Sequence, residues 1–409
     1  MNSPDHANDP RWLNTETFRL LDFGRASAEA PNGFAWLDTA GRPDLAAPLD
    51  LWITARMTHV YALGVLLGYP GAEALTDHGL AALTGPFADT AGGGWFSRLD
   101  PDGAPAEFVK TAYSHAFVLL AATSAVAAGR PGADDLLARA LANQNAYFWD
   151  PAESMVVDHF NRDFTEADPY RGVNANMHTV EAYLAAADVT GEKRWRQRAR
   201  RIARRVVRHA RQADWRIPEH FGVEWQALPD FNIDKPHDPF RPYGATPGHG
   251  FEWSRLILEL EAALGPAARD WMRPAAERLF RRARLDGWQD GVAPGFVYTT
   301  DWDGRPVIDA RLHWVAAEAV GAASTAFRAT GDPIYHDLYD RWWNTIEQVF
   351  IDEELGSWRH EVDPSGKVAT AMWPGKPDIY HAVQATLIPR LPLAPSLATA
   401  LKDGLLDQG

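Results

Sequence analysis

Five glycines, at positions 68, 129, 191, 265 and 331, each close one apolar run and open the next, at intervals of 61, 62, 74 and 66 residues. The runs before them read VYALGVLLG, LLAATSAVAAG, AYLAAADVTG, ILELEAALG and AASTAFRATG, and amphipathic runs such as EKRWRQRARRIARRV and DPIYHDLYDRWWNTI come after. Apolar residues in these stretches recur three and four apart with little strict alternation, which predicts a mainly α-helical chain. A glycine just past the last helical turn supplies the left-handed conformation that ends a helix without steric cost. Each period is therefore read as a helical hairpin, and hairpins recurring at such an interval bury their apolar faces against one another.

A sixth, abbreviated pair fits residues 379–391 followed by 396–406. Between pairs, Gly94-Trp95 leads to DPDG at 100–103, Trp288 to DWDG at 301–304, and Trp358 to DPSG at 363–366. These predict short β-turn excursions joining one hairpin to the next. No compositional break or Ser/Gly-rich linker interrupts the series, so residues 1–409 are read as one domain. Six hairpins predict an all-α (α/α)6 barrel in which inner helices alternate with outer ones. An open helical solenoid is the rival architecture.

Composition narrows the chemistry. A hydrophobic content of 46% is ample for a buried core, and the absence of cysteine removes disulfides, thiolate nucleophiles and Cys-ligated metals. The opening MNSPDHANDPRW has neither a basic nor an apolar leader region and no apolar stretch reaches membrane-spanning length, which predicts a cytoplasmic protein with no membrane partner. A net charge of −14 opposes affinity for nucleic acid. The arginine-rich stretch 194–212 is no exception, because Trp195, Ala199, Ile202, Ala203, Val206 and Ala210 trace an apolar stripe that marks a solvated outer helix. Seventeen tryptophans and eleven tyrosines suit large packed helices and also sites that stack on the apolar faces of sugars.

In a closed barrel the N-termini of the inner helices gather at one end and make a pocket. Their first turns carry polar and aromatic residues that a pure core would not select: Trp52, Arg56 and His59; Tyr113 and His115; Asn174, Asn176, His178 and Glu181; His249 and Glu252; Arg311, His313, Trp314 and Glu318; Tyr380, His381 and Gln384. Thr246 as N-cap and Pro247 as the first helical residue put His249 in a first turn, and Asp378 as N-cap does the same for His381. The positive end of a helix disfavours imidazolium, so rings held there stay neutral and able to accept a proton near pH 7, with Asp378 partly offsetting this. His178, His249 and His381 share that position, whereas His59, His115 and His313 are read as structural. Three histidines and a glutamate could also bind a metal, yet no HExxH or comparable ligand motif is present and none is expected. AGGGW at 91–95 lacks the spacing of a phosphate loop.

At these residues the chain resembles the N-acylglucosamine 2-epimerase superfamily. The carriers are Arg56 in ITARMTH, Tyr113 in KTAYSHAF, Asn174 and His178 in RGVNANMH, His249 and Glu252 in PGHGFEW, and His381 in IYHAVQA. The resemblance implies an (α/α)6 barrel that interconverts sugars at C1 and C2 without a cofactor. TPGHGFEWSRL with Arg255, and GKPDIYHAVQA with Gln384, look closer to aldose–ketose isomerases acting on mannose or sulfoquinovose than to the 2-epimerases. His360 and Glu361 stand where sulfoquinovose enzymes need a cationic or amide group, and a glutamate would repel a sulfonate, which favours mannose.

The implied roles are His381 as acid/base at C2 and C1 of a cis-enediol, and His249 in ring opening with Glu252 orienting it. Arg56 and His178 would bind the C1 and C2 oxygens, and Tyr113, Asn174, Trp52 and Trp314 would position the sugar, with Arg241 a weaker candidate. The implied partner is a monosaccharide; monomer and homo-oligomer stay equally open. The resemblance leaves a sugar 2-epimerase or a sulfoquinovose isomerase as alternatives, and the residues themselves leave an (α/α)6 glycoside hydrolase drawing two carboxylates from Glu219, Glu252 and Glu318, or a non-catalytic sugar binder. Residues 215–245, rich in proline and aromatics, are expected to wall the pocket.

Overall fold

The computed structural model describes residues 6–408. Six helices form an inner ring: α2 (Leu51–Leu66), α4 (Ala112–Ala127), α6 (Val173–Thr190), α8 (Pro247–Leu264), α10 (His313–Thr330) and α12 (Tyr380–Leu387). Each touches the next, and α12 returns to α2, so the ring is closed and the open solenoid is ruled out. α2 and α4 are buried around nearly their whole circumference, as expected of helices apolar on every side. Outside them run α3 (Ala72–Thr84), α5 (Ala133–Asn143), α7 (Lys193–Gln212), α9 (Met272–Gly287) and α11 (Pro333–Thr345), each packed on the inner helix before it. α7 buries the predicted stripe Trp195, Ala199, Ile202, Ala203, Val206 and Ala210. Among the described residues no helix is long and apolar enough to cross a membrane.

All five pivot glycines have positive φ, between 50° and 73°. A Cβ at any of them would meet no atom within 4 Å, so glycine is required there by backbone conformation and not by crowding.

The sixth hairpin differs from expectation. α13 (Leu397–Lys402) is only six residues long and packs beneath α2, α4 and α6, where it closes the far end of the barrel. The sixth outer place goes to α1 (Pro10–Gly24), which lies on α12 and buries Leu13, Thr17, Leu20 and Leu21. The Thr17 and Thr386 hydroxyls meet at 2.8 Å, and Trp358 Nε1 donates to Glu16 Oε1 at 2.7 Å. A six-residue helix is too short to cover α12, whereas the apolar spacing 13, 17, 20, 21 gives α1 the stripe to do so.

The three Asp-x-x-Gly turns are present, with Gly103, Gly304 and Gly366 donating to Asp100, Asp301 and Asp363 carbonyls at 2.9, 3.1 and 2.9 Å. The excursion around 301–304 is a full hairpin, Gly295–Thr300 against Pro306–Leu312, within a four-stranded antiparallel sheet. Short strands Leu49–Asp50, Lys110–Thr111, Arg171–Gly172 and Pro306–Leu312 each run directly into an inner helix. These sheets therefore rim the end of the barrel where the inner N-termini converge.

Candidate active site

At that end lies a cavity of about 870 Å3, counted out to its open mouth, whose lining includes Trp52, Arg56, Tyr113, Asn174, His178, His249, Glu252, Trp314 and His381. Nine of the ten residues proposed from sequence thus share one space. Arg241 is the exception. Its guanidinium lies over the Tyr170 ring at 3.9 Å and meets His159 Nδ1 at 2.6 Å, which holds it in an adjoining cleft at the mouth.

α8 begins as its sequence predicts, with Thr246 in the extended N-cap conformation and Pro247 first in the helix. The Thr246 hydroxyl makes no cap bond; it is buried, unpartnered and part of the cavity lining. His249 stands between two glycines for a packing reason. A Cβ at position 248 would meet the Trp314 ring at 2.4 Å, and one at 250 the Ala283 Cβ at 2.9 Å. α12 starts one residue later than expected, with Ile379 at the N-cap. Asp378 still performs the capping chemistry, since its Oδ1 accepts from Tyr380 N at 2.9 Å while its Oδ2 pairs with Arg56 Nη1 at 3.2 Å.

The two histidines are anchored alike. His249 Nδ1 lies 2.9 Å from Glu219 Oε1, and His381 Nδ1 lies 2.8 Å from Glu318 Oε1. An Nδ1–H donated to a carboxylate fixes the tautomer and leaves Nε2 with a free lone pair, and neither Nε2 has a protein partner among the described residues. The Trp314 ring sits between them, with centroids 5.3 Å from His249 and 5.7 Å from His381. Glu318 is held in turn by Arg255, at 3.0 Å from Nη2 and 3.2 Å from Nε.

Glu252 does not orient His249. One helical turn below it, Glu252 is buried at the cavity floor, 3.6 Å from His178 Nδ1 and 3.8 Å from Arg255 Nη2. The partner of His249 is Glu219, which arrives from the 215–245 segment; no helical spacing in the sequence links the two. Both Glu252 oxygens lack a hydrogen-bond partner, and burial together with the nearby Glu318 raises its carboxyl well above the ordinary value.

Arg56 is clamped over the floor. Its Nη2 donates to Tyr113 OH at 2.9 Å, and the guanidinium lies 4.3 Å from the Phe117 ring and 5.1 Å from that of Trp52. Burial pushes His178 down to about 4, with Arg56 adding to the effect, and holds His381 well below the usual imidazole range. His313, read as structural, also faces the cavity and stacks on His360 with centroids 3.8 Å apart; burial lowers both. His59 and His115 do not line the cavity and are bonded through Nδ1 to Ser124 Oγ and to the Thr111 carbonyl, both at 2.7 Å.

The 215–245 segment does wall the cavity, through Glu219, His220 and Phe240. Phe240 and Trp373 meet at 5.2 Å across the mouth. Glu361, expected to repel a sulfonate, points elsewhere, its Oε2 accepting from Met372 N at 2.8 Å, and His360 takes the cavity-facing place. Gln384 likewise lies below the floor, donating to Glu181 Oε1 at 2.8 Å.

Among the described residues, one donor group has spacing suited to a metal: His178, Glu181 and Glu252, with atoms within 4.8 Å of one another. Both Glu181 oxygens are already engaged, by Tyr380 OH at 2.5 Å and by Gln384, and Arg255 stands beside Glu252. A neighbouring guanidinium disfavours a cation there.

A closed helical barrel, with imidazoles anchored on carboxylates around an aromatic-walled cavity, defines an enzyme of acid–base chemistry on a small polar substrate. The family model of N-acylglucosamine 2-epimerase (GlcNAc 2-epimerase) matches residues 33–385, and the chain belongs to that family. It is 49% identical to a D-mannose isomerase of Thermobifida fusca over 392 residues, covering 95% of this chain and 96% of that protein. It is 48% identical to a D-mannose isomerase of Pseudomonas cannabina pv. alisalensis, covering 98% and 96%. A crystal structure of D-mannose isomerase superposes with a TM-score of 0.86 at 26% identity, covering 94% of this chain and 98% of the other.

Proposed function

We propose that the chain, read as one catalytic barrel over residues 1–409, interconverts the monosaccharides D-mannose and D-fructose through a cis-enediol. The observation that carries this reading is the pair of Nδ1-anchored histidines on either side of Trp314 in one cavity. Near-full-length similarity to two D-mannose isomerases supports the choice of sugar.

His249 opens the pyranose by taking the O1 proton and passing it to O5 as the C1–O5 bond breaks. His381 Nε2 then removes the C2 proton. The released electron pair forms the C1=C2 enediolate, whose charge falls beside Arg56 and His178. Return of the proton from His381 to C1, with the O2 proton passing to O1, gives the ketose. Burial makes His381 a weaker base but keeps it unprotonated at neutral pH, and Glu318 stabilises the imidazolium when it forms. No metal enters these steps. The hydrolase alternative loses support because Glu219 and Glu318 are both committed to histidines.

Incubation with mannose in heavy water tests the reading, followed by NMR. Deuterium at C1 of fructose and C2 of mannose is expected, undiminished by a chelator. Label without ketose would make the enzyme an epimerase, and no label would leave a binder or hydrolase. His381→Ala is expected to abolish exchange while sugar binding persists.

A further inference from the structure

The outer face of α7 carries a feature that isomerisation does not use. The helix holds Lys193 and nine arginines with no carboxylate, a charge of +10 on a chain whose net charge is −14, which leaves −24 on the remainder. Arg201, Arg204, Arg208 and Arg211 are exposed and spaced three, four and three apart, so they form one stripe about 15 Å long. Among the described residues none of the four has an ion-pair or hydrogen-bond partner. By contrast Arg196 pairs with Asp188 at 2.6 Å and Arg205 with Glu153 at 2.6 Å. The stripe forms one side of a surface groove, with Ser154 and Trp271 facing it.

Uncompensated like charges at these spacings destabilise a helix, and Arg200 beside them is shifted down by burial and by Arg269, Arg201 and Arg204. Charge of this density is matched by an anion that brings several charges in a short length. Guanidinium forks bind phosphate oxygens two at a time, and linked phosphates concentrate more charge than a run of carboxylates. Size follows from the rest of the molecule. A nucleic acid or an acidic protein would bring its own bulk against the −24 surface, whereas a ligand seated within the groove lies within a Debye length of about 8 Å of the arginines.

We propose that the groove between α7 and residues 152–154 and 271 binds a small soluble oligophosphate, with Arg201, Arg204, Arg208 and Arg211 as its ligands. This site is separate from the sugar cavity and does not depend on the reading of that cavity.

Calorimetric titration of the full chain with inorganic tripolyphosphate tests it, alongside citrate and polyglutamate. One saturable site is expected, weakening as salt rises, and tighter for tripolyphosphate than for either carboxylate. Arg204→Ala/Arg208→Ala is expected to bind about ten- to a hundred-fold more weakly, as for lost charge-assisted hydrogen bonds, with an unchanged circular dichroism spectrum as evidence of an intact fold. The proposal is overturned by absence of saturable binding at low salt. It is equally overturned by an unaltered affinity in the double variant, or by citrate or polyglutamate binding as tightly as tripolyphosphate.

Discussion

Glu219 and Glu318 each hold a histidine ring by its Nδ1, so their removal acts on the reaction through those rings and leaves the sugar contacts in place. Glu318→Gln is expected to lower kcat about ten- to a thousand-fold with KM changed only a few-fold, as for a lost histidine-orienting carboxylate. Steady-state kinetics on mannose would check it, and an unchanged kcat would remove Glu318 from the mechanism. The pH dependence has a definite sign. His381 has its proton affinity lowered by burial, and Arg56 adds to the effect. The acid limb of kcat/KM is therefore expected below about 6.5, the ordinary imidazole value. An acid limb above that value would show that His381 is not the essential base. The histidines themselves were legible in the sequence, because Thr-Pro before His249 and Asp378 before His381 are local capping signals. Their carboxylate partners were not. Glu219 and Glu318 lie 30 and 63 positions away, one on a loop and the other on α10, and no periodicity within a helix specifies which residue of another element will meet a given ring.

The glycines of the elements divide into two physical kinds, and substitution separates them. At Gly331 a methyl group meets open space but φ is 71°, so Gly331→Ala is expected to cost about 1–2 kcal/mol of stability with turnover intact. At Gly248, within α8, a methyl group meets the Trp314 ring at 2.4 Å. Gly248→Ala is expected to displace that ring from between the histidines and to reduce kcat far more than Tm. Thermal melts and kinetics on the two variants would discriminate, and equal effects on both would contradict the distinction. The pivots made the hairpin count readable from sequence because a glycine C-cap is a local signal. Which helix takes the sixth outer place is not local. It depends on whether α1 or α13 can cover α12, and that is decided by helix length and by contacts across the chain such as Thr17 with Thr386.

The whole molecule buries many neutral imidazoles, and this sets its response to acid. Burial pushes His59, His178 and His313 down to about 4 and His115 to about 3. An unfolded chain binds these protons near pH 6.5 while the native one refuses them, so the stability they lend is full above that value. It is lost as pH falls toward about 4. Asp158 and Glu259, raised by burial to about 7, act in the opposite sense but are fewer. The melting temperature is therefore expected to hold above neutrality and to drop steeply between about pH 6 and 4; a flat profile there would show that the histidines are hydrated. Closure of the ring by α1 carries a further consequence for biosynthesis. The first helix leaves the ribosome more than three hundred residues before the segment it must dock against, so it waits, with its apolar stripe uncovered, until α12 emerges. The same late segment delivers His381, and no truncated nascent chain can unite the two halves of the acid–base pair.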